Sequence, residues 1–129
     1  MLKKIHIVDI INLYNIIIER CVSMKGITVK ELFGDNGGLA SALFEDVTYP
    51  FEALGKIGDY IKKIGPALDT AVYEQKGENI WIARSAKVAP SASITGPCII
   101  GERTEVRHCA FIRGNALVGD DCVVGNSTE

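Results

Sequence analysis

Residues 82 to 129, IARSAKVAPSASITGPCIIGERTEVRHCAFIRGNALVGDDCVVGNSTE, decide the fold. An aliphatic side chain recurs at every sixth position, as Ile82, Val88, Ile94, Ile100, Val106, Ile112, Val118 and Val124, and the register never slips. Four residues after each comes a small one: Ala86, Ala92, Cys98, Thr104, Ala110, Ala116, Cys122 and Thr128. Neither 3.6 nor 3.5 residues per turn divides into six, so the period belongs to a β-solenoid and not to a helix. Side chains alternate across a strand, so each small residue and the aliphatic two positions later share a face, while the residue between them points outward. Each hexad then supplies a short strand and a corner. Three hexads make one coil, stacking residues eighteen apart at about 4.8 Å, and the run makes about two and two-thirds coils. The corners hold Gly101, Gly114, Gly119 and Gly125, with Asn115, Asp120, Asp121 and Asn126 beside them. All of these tolerate tight or left-handed backbone.

The outward strand positions are Lys87, Ser93, Ile99, Glu105, Phe111, Leu117 and Val123. On a three-sided prism one face shows Lys87, Glu105 and Val123, the next Ser93 and Phe111, and the third Ile99 and Leu117. That third face is apolar. A stacked apolar stripe on a solvent-facing surface marks an interface, so Ile99, Leu117 and Phe111 are the expected contacts between copies.

Working outward from the repeats, residues 24–79 read as a helical cap and residues 1–23 as a helical extension before the repeat domain at 80–129. Thr28 and Glu31 have capping-box spacing, and Gly34 stops a helix of barely two turns. Asn36-Gly37-Gly38 is a loop, and Leu39 to Glu45 a second helical piece. Pro50 is placed to open a third helix, with Phe51, Leu54, Ile57, Ile61 and Ile64 at spacings of three and four before Gly65-Pro66 ends it. In residues 3–21, Asp9, Asn12, Asn15 and Glu19 share one side, while Ile7, Ile10, Ile11, Tyr14, Ile17 and Ile18 cover the other. Those polar residues break the run before it reaches the ~18 to 20 apolar residues that span a bilayer, and no cleavage site follows. Packing on the rest of the chain or on another copy is the expected use. The polar side lacks the Lys/Arg excess of a membrane-surface helix.

Composition narrows the function classes. With 129 residues, 47% hydrophobic and 23% charged, the chain can bury a core but not two α/β domains of ordinary size. Fourteen Lys and Arg against sixteen Asp and Glu give a net charge of −2 and no footprint for nucleic acid or anionic membrane. Cys21, Cys98, Cys109 and Cys122 form no C-x-x-C pair and are read as reduced thiols of a cytoplasmic protein.

The hexad pattern resembles the hexapeptide-repeat acyltransferases, and that likeness implies a left-handed parallel β-helix; the hand comes from the resemblance alone, because ordinary parallel crossovers are right-handed. From Met24, which would serve as a natural start, to Glu129, the chain is similar to bacterial sugar-nucleotide pyrophosphorylase-like and glucosamine-1-phosphate N-acetyltransferase-like proteins. The likeness is carried by ENIWIARSAKVAPSASITGPCIIGERTEVRHCAFIRGNALVGDDCVVGNSTE. It implies acetyl transfer from acetyl-CoA, the co-substrate, to an amino-sugar phosphate in sugar-nucleotide metabolism, by trimers with sites between subunits. In the segment AFIRGN, residues 110–115, Arg113 takes the place of the arginine that holds the sugar phosphate. Two departures stand out. No L-x-x-G-x-G-T-R nucleotide loop is present, so nucleotidyl transfer is unsupported. The family's catalytic histidine, its assisting lysine and the coils that hold acetyl-CoA come after GNSTE, so the expectation is a partial site without its general base and an inactive chain.

Each candidate has a plainer alternative. Arg113 is a phosphate ligand or a solvated corner. His108, stacked eighteen residues from Asn126, is a base or ligand, or a hydrogen-bonding surface group; Asn126 shares that choice. Cys98 and Cys122 are core. Asp120-Asp121 is a turn, and no metal site is expected, since two adjacent carboxylates are too few ligands. A zinc anhydrase on the same scaffold would need three histidines, whereas the chain has only His6 and His108. The competing function is a non-catalytic oligomerisation module.

Overall fold

A computed structural model describes residues 27–34 and 38–129. The expected helix over residues 3–21 and Cys21 lie outside the described residues. The fold is sheet-rich with short helices. Helix α1 (Val29–Phe33) has the expected capping box: the Glu31 N–H donates to Thr28 Oγ1 and the Thr28 N–H donates to the Glu31 carboxylate, each at 3.2 Å. Gly34 closes it at φ 61°, a conformation for which glycine has no steric cost. The second helical piece shrinks to one 3-10 turn, Ser41–Leu43.

Pro50 opens the third piece as expected, but the first two turns (Pro50–Lys56) are 3-10 and only Ile57–Ile64 is α-helical, here α2. The Thr48 and Tyr49 N–H groups donate to Glu52 Oε2 at 2.8 and 2.9 Å, satisfying the free donors at this helix start. These bonds, that of Tyr49 foremost, hold the Glu52 carboxyl below its ordinary range. The change from 3-10 to α alters which residues align. Phe51 and Leu54 face solvent while Ala53 between them is buried, and of the five aligned residues Ile57, Ile61 and Ile64 reach the core. A 3-10 turn, Gly65–Ala67, carries the chain out of α2.

The cap is not helical throughout residues 24–79. Tyr73–Gly77 is a strand, β1, that pairs antiparallel with β2 (Ile80–Ala83) across a tight turn with Asn79 at φ 55°. Seven further short strands follow: β3 (Lys87–Val88), β4 (Ser93–Ile94), β5 (Cys98–Ile100), β6 (Glu105–Val106), β7 (Phe111–Ile112), β8 (Ala116–Val118) and β9 (Val123–Val124). They form three parallel ladders, β2-β5-β8, β3-β6-β9 and β4-β7, visited in rotation. Every parallel pairing joins residues eighteen apart, as in Ile82↔Ile100↔Val118 and Val88↔Val106↔Val124.

Ile82, Cys98, Ile100, Val106, Ala110 and Ile112 form one buried cluster between the ladders, with Ala86, Ala92, Ile94, Ala116 and Val124 packed on it. Val88 departs from the expected inward set at 36% exposed. It lies on β3, the end strand of its ladder. Thr104 is the buried polar member of the small-residue row; its hydroxyl donates to Gly119 O (2.7 Å) and accepts from the Cys122 N–H (3.1 Å), which meets the cost of burying it.

Left-handed backbone occurs at Arg103, Cys109, Asn115, Asp121 and Ser127, again every sixth residue, and at Gly114. Such conformations cost an L-residue roughly 1–2 kcal/mol. At four of these corners the N–H is bound eighteen or nineteen residues back: Arg103 to Ser85 Oγ, Cys109 to Ser91 Oγ, Asp121 to Glu102 O and Ser127 to His108 O. Gly101 serves closeness instead of backbone angle, since a Cβ there would overlap the Gly119 backbone and Asp120.

The outward row of the first ladder, Trp81↔Ile99↔Leu117, overturns one expectation. Ile99 is 0% exposed, packed with Ile61 and Trp81, while Leu117 joins Ile57 and Ile64 around them. The apolar stripe is covered by α2 of the same chain, so Ile99 is not a contact between copies, and Leu117 is largely committed to α2. The close approach needs glycine on the cap side, because a Cβ at Gly65 would overlap the Trp81 ring. Phe111, 37% exposed, remains open.

Candidate functional site

Two neighbouring corners of the ladders carry the sequence-derived site residues, and the structure does not merge them. The first corner follows β6. Arg107, His108 and Asn126 line a groove of about 350 Å³ with Lys87, Glu105, Val88, Ala89 and Val106. The ladder register builds it: Lys87 is opposite Glu105, and the Arg107 N–H donates to Val124 O, which sets His108 level with Asn126.

The His108 ring is fixed from behind. Ser91 Oγ lies 2.5 Å from His108 Nδ1 and also accepts the Cys109 N–H at 3.1 Å. The contact pins the ring by its Nδ1 edge, and the Cys109 N–H pins the serine hydroxyl in turn. Glu105 is drawn to Arg107, Oε1 to Nε at 3.3 Å.

Arg113, after β7, lies outside that groove. Its side chain is 76% exposed and pairs with the Glu129 carboxylate at 2.9 Å. The structure therefore brings His108 and Asn126 together but leaves Arg113 apart. Lys87, Ser91 and Arg107 were not among the site residues the sequence offered, Lys87 being read only as an outward strand position; the eighteen-residue stack that set Asn126 beside His108 also sets Ser91 on Cys109, and could have found it.

A second cavity of about 510 Å³ lies where the cap meets the first ladder, lined by Leu39, Phe44, Tyr73, Leu117 and Asp120 among others. Burial, and after it the charges of Asp120 and Glu102, raise the Tyr73 phenol above its ordinary range. Asp120 itself accepts the Glu102 N–H at 2.7 Å, and Asp121 holds Arg103 bidentately at 2.6 and 2.8 Å, so this acidic pair stabilises stacked corners as a turn would. Among the described residues no group of His, Cys, Asp and Glu could hold a metal, and no helix is long and apolar enough to cross a membrane. Cys98, Cys109 and Cys122 are free thiols; burial pushes Cys98 up to about 11, as expected of a core residue.

Comparison with protein families, curated proteins and solved structures finds no match to this chain.

Proposed function

We propose that the repeat domain winds as a left-handed parallel β-helix and belongs to an acyltransferase of the hexapeptide-repeat class, acting in acetyl transfer from acetyl-CoA to an amino-sugar phosphate. The observation that carries this reading is the unbroken eighteen-residue register across all three ladders, which is the spacing of three hexads to a coil. In the reaction the amine attacks the thioester carbonyl after a base removes its proton, and the CoA thiolate leaves. Arg113 is the phosphate ligand on this reading, since a guanidinium offers phosphate a two-pronged, always-charged donor. Glu129 occupies that donor face until substrate displaces it. His108, the histidine among the described residues, does not line Arg113's corner, so the proton-removing base comes from outside this arrangement. Titration calorimetry with glucosamine 1-phosphate tests the assignment. Arg113→Ala should weaken binding about tenfold, as expected for loss of a charge-assisted hydrogen bond, while Glu129→Gln should tighten it. Equal affinity in wild type and Arg113→Ala would exclude Arg113.

A second reading, a non-catalytic module that assembles copies of itself as a homotrimer, is favoured by the exposure of Phe111 and Val123 on the two outward faces that α2 leaves open. Light scattering decides it, because Phe111→Glu should lower the mass of such an assembly.

A further inference from the structure

We propose that the groove after β6 is a second anion site, separate from Arg113, that takes the phosphate group of a small phosphorylated metabolite. Its cationic and donor groups come from different levels of the same ladder. Lys87 stands on β3, Arg107 and His108 follow β6, and Asn126 follows β9, and all four line one groove. Lys87 stands opposite Glu105, yet no ion pair joins them, and Glu105 is instead held by Arg107. The groove's one carboxylate is thus neutralised within it, and Lys87 leaves a net charge of +1 before His108 is counted. Ser91 fixes His108 by its Nδ1 edge, which leaves the Nε2 edge for a ligand. An ammonium, an imidazole edge and a carboxamide then line one groove together with Val88, Ala89 and Val106. Donors of that kind suit phosphate oxygens, and the apolar border suits a short carbon skeleton. At about 350 Å³ the groove exceeds what a free phosphate ion fills, which favours a phosphate monoester.

The groove and Arg113 sit at different corners, so their failures can be told apart. The chain has two histidines, so the His108 ring signal in a carbon–proton correlation spectrum is assigned from one His108→Gln variant. Glycerol phosphate, inorganic phosphate, glycerol and sodium chloride at matched ionic strength are titrated against the full chain. The expected result is a saturable shift of the His108 signal with glycerol phosphate, at lower concentration than with inorganic phosphate, and none with glycerol or chloride. Lys87→Ala should raise the half-saturating concentration about fivefold, the scale of one exposed ion pair, and Arg113→Ala should leave it unchanged. Absence of a saturable shift, a response insensitive to Lys87→Ala, or loss of the response in Arg113→Ala overturns the proposal. Inorganic phosphate equal to the ester would overturn the assignment to a monoester.

Discussion

Truncating Ile61 to alanine tests the packing of α2 on the first ladder. Ile61 is 0% exposed and sits between Trp81 and Ile99, themselves nearly or fully buried. The substitution removes the side chain beyond Cβ, and an Ile-to-Ala change in a core costs about 2–5 kcal/mol, the larger values applying where the site cannot collapse. Here collapse is restricted. The Trp81 ring is wedged against Gly65, and Ile99 is held in register by strands on both sides. A value of about 3–4 kcal/mol follows, which at roughly 4 °C per kcal/mol for a domain of this size is a fall in Tm of about 12–16 °C. Leu54, seven residues earlier and 65% exposed, is the control; its change to alanine should stay within about 0.5 kcal/mol. Circular dichroism melts of the two variants against wild type give the comparison. Equal shifts for Ile61→Ala and Leu54→Ala would mean that α2 does not cover the ladder.

Ile100→Ala, in the centre of the inward row, should lower Tm by far more than Glu102→Ala, since Ile100 is wholly buried and Glu102 sits at a corner. Gly101→Ala should destabilise and Gly119→Ala should not, although the two stack eighteen residues apart; a Cβ at Gly101 would overlap backbone, whereas at Gly119 the nearest atom is Cys122 Sγ at 3.7 Å. The hydrogen bond and charge of Arg103 hold the Asp121 carboxyl below its ordinary range. A carboxyl lowered on folding stabilises above its unfolded value of about 4 and loses that contribution as pH falls through the folded value. Asp121→Asn should therefore melt lower than wild type at pH 7, with the gap closing in melts taken at successively lower pH. Buried Cys98, pushed up to about 11, should resist a disulfide reagent at pH 8 until denaturant is added, while exposed Cys109 reacts at once, as peptide mapping would show.

The ladders were legible because the hexad is a direct consequence of strand alternation plus a corner. Every paired residue found by register, from Ile82↔Ile100 to Val106↔Val124, follows from adding eighteen. The left-handed corners were half legible. Asn115 and Asp121 advertise that backbone, but Arg103, Cys109 and Ser127 do not, because their cost is met by hydrogen bonds to residues distant in sequence. Tyr73–Gly77 was hidden for another reason. YEQKG has no apolar alternation, since β1 is an edge strand with no fully buried residue, and it pairs with β2 across the turn at Asn79. Of the candidate site, His108 and Asn126 were legible through the stack, whereas Arg113's separation from them depends on which corner each follows.

The misassigned interface and the candidate groove have a common physical origin. The sequence marks the outward apolar row as needing a partner and residues 24–79 as a cap on the repeats, and the structure joins the two: Trp81, Ile99 and Leu117 receive Ile57, Ile61 and Ile64. Once that face is occupied, the faces left are the Lys87–Glu105–Val123 row and the Ser93–Phe111 row. On the first of these, directly opposed Lys and Glu would ordinarily satisfy each other across the strands. Here the Glu105 carboxylate turns to Arg107, two residues on and just past the end of its strand, at 3.3 Å. The choice leaves Lys87 without that counter-charge beside a histidine already fixed from behind by Ser91. A single local ion pair at the end of β6 thus converts what would be a neutral cross-strand pair into a cationic position lining a groove.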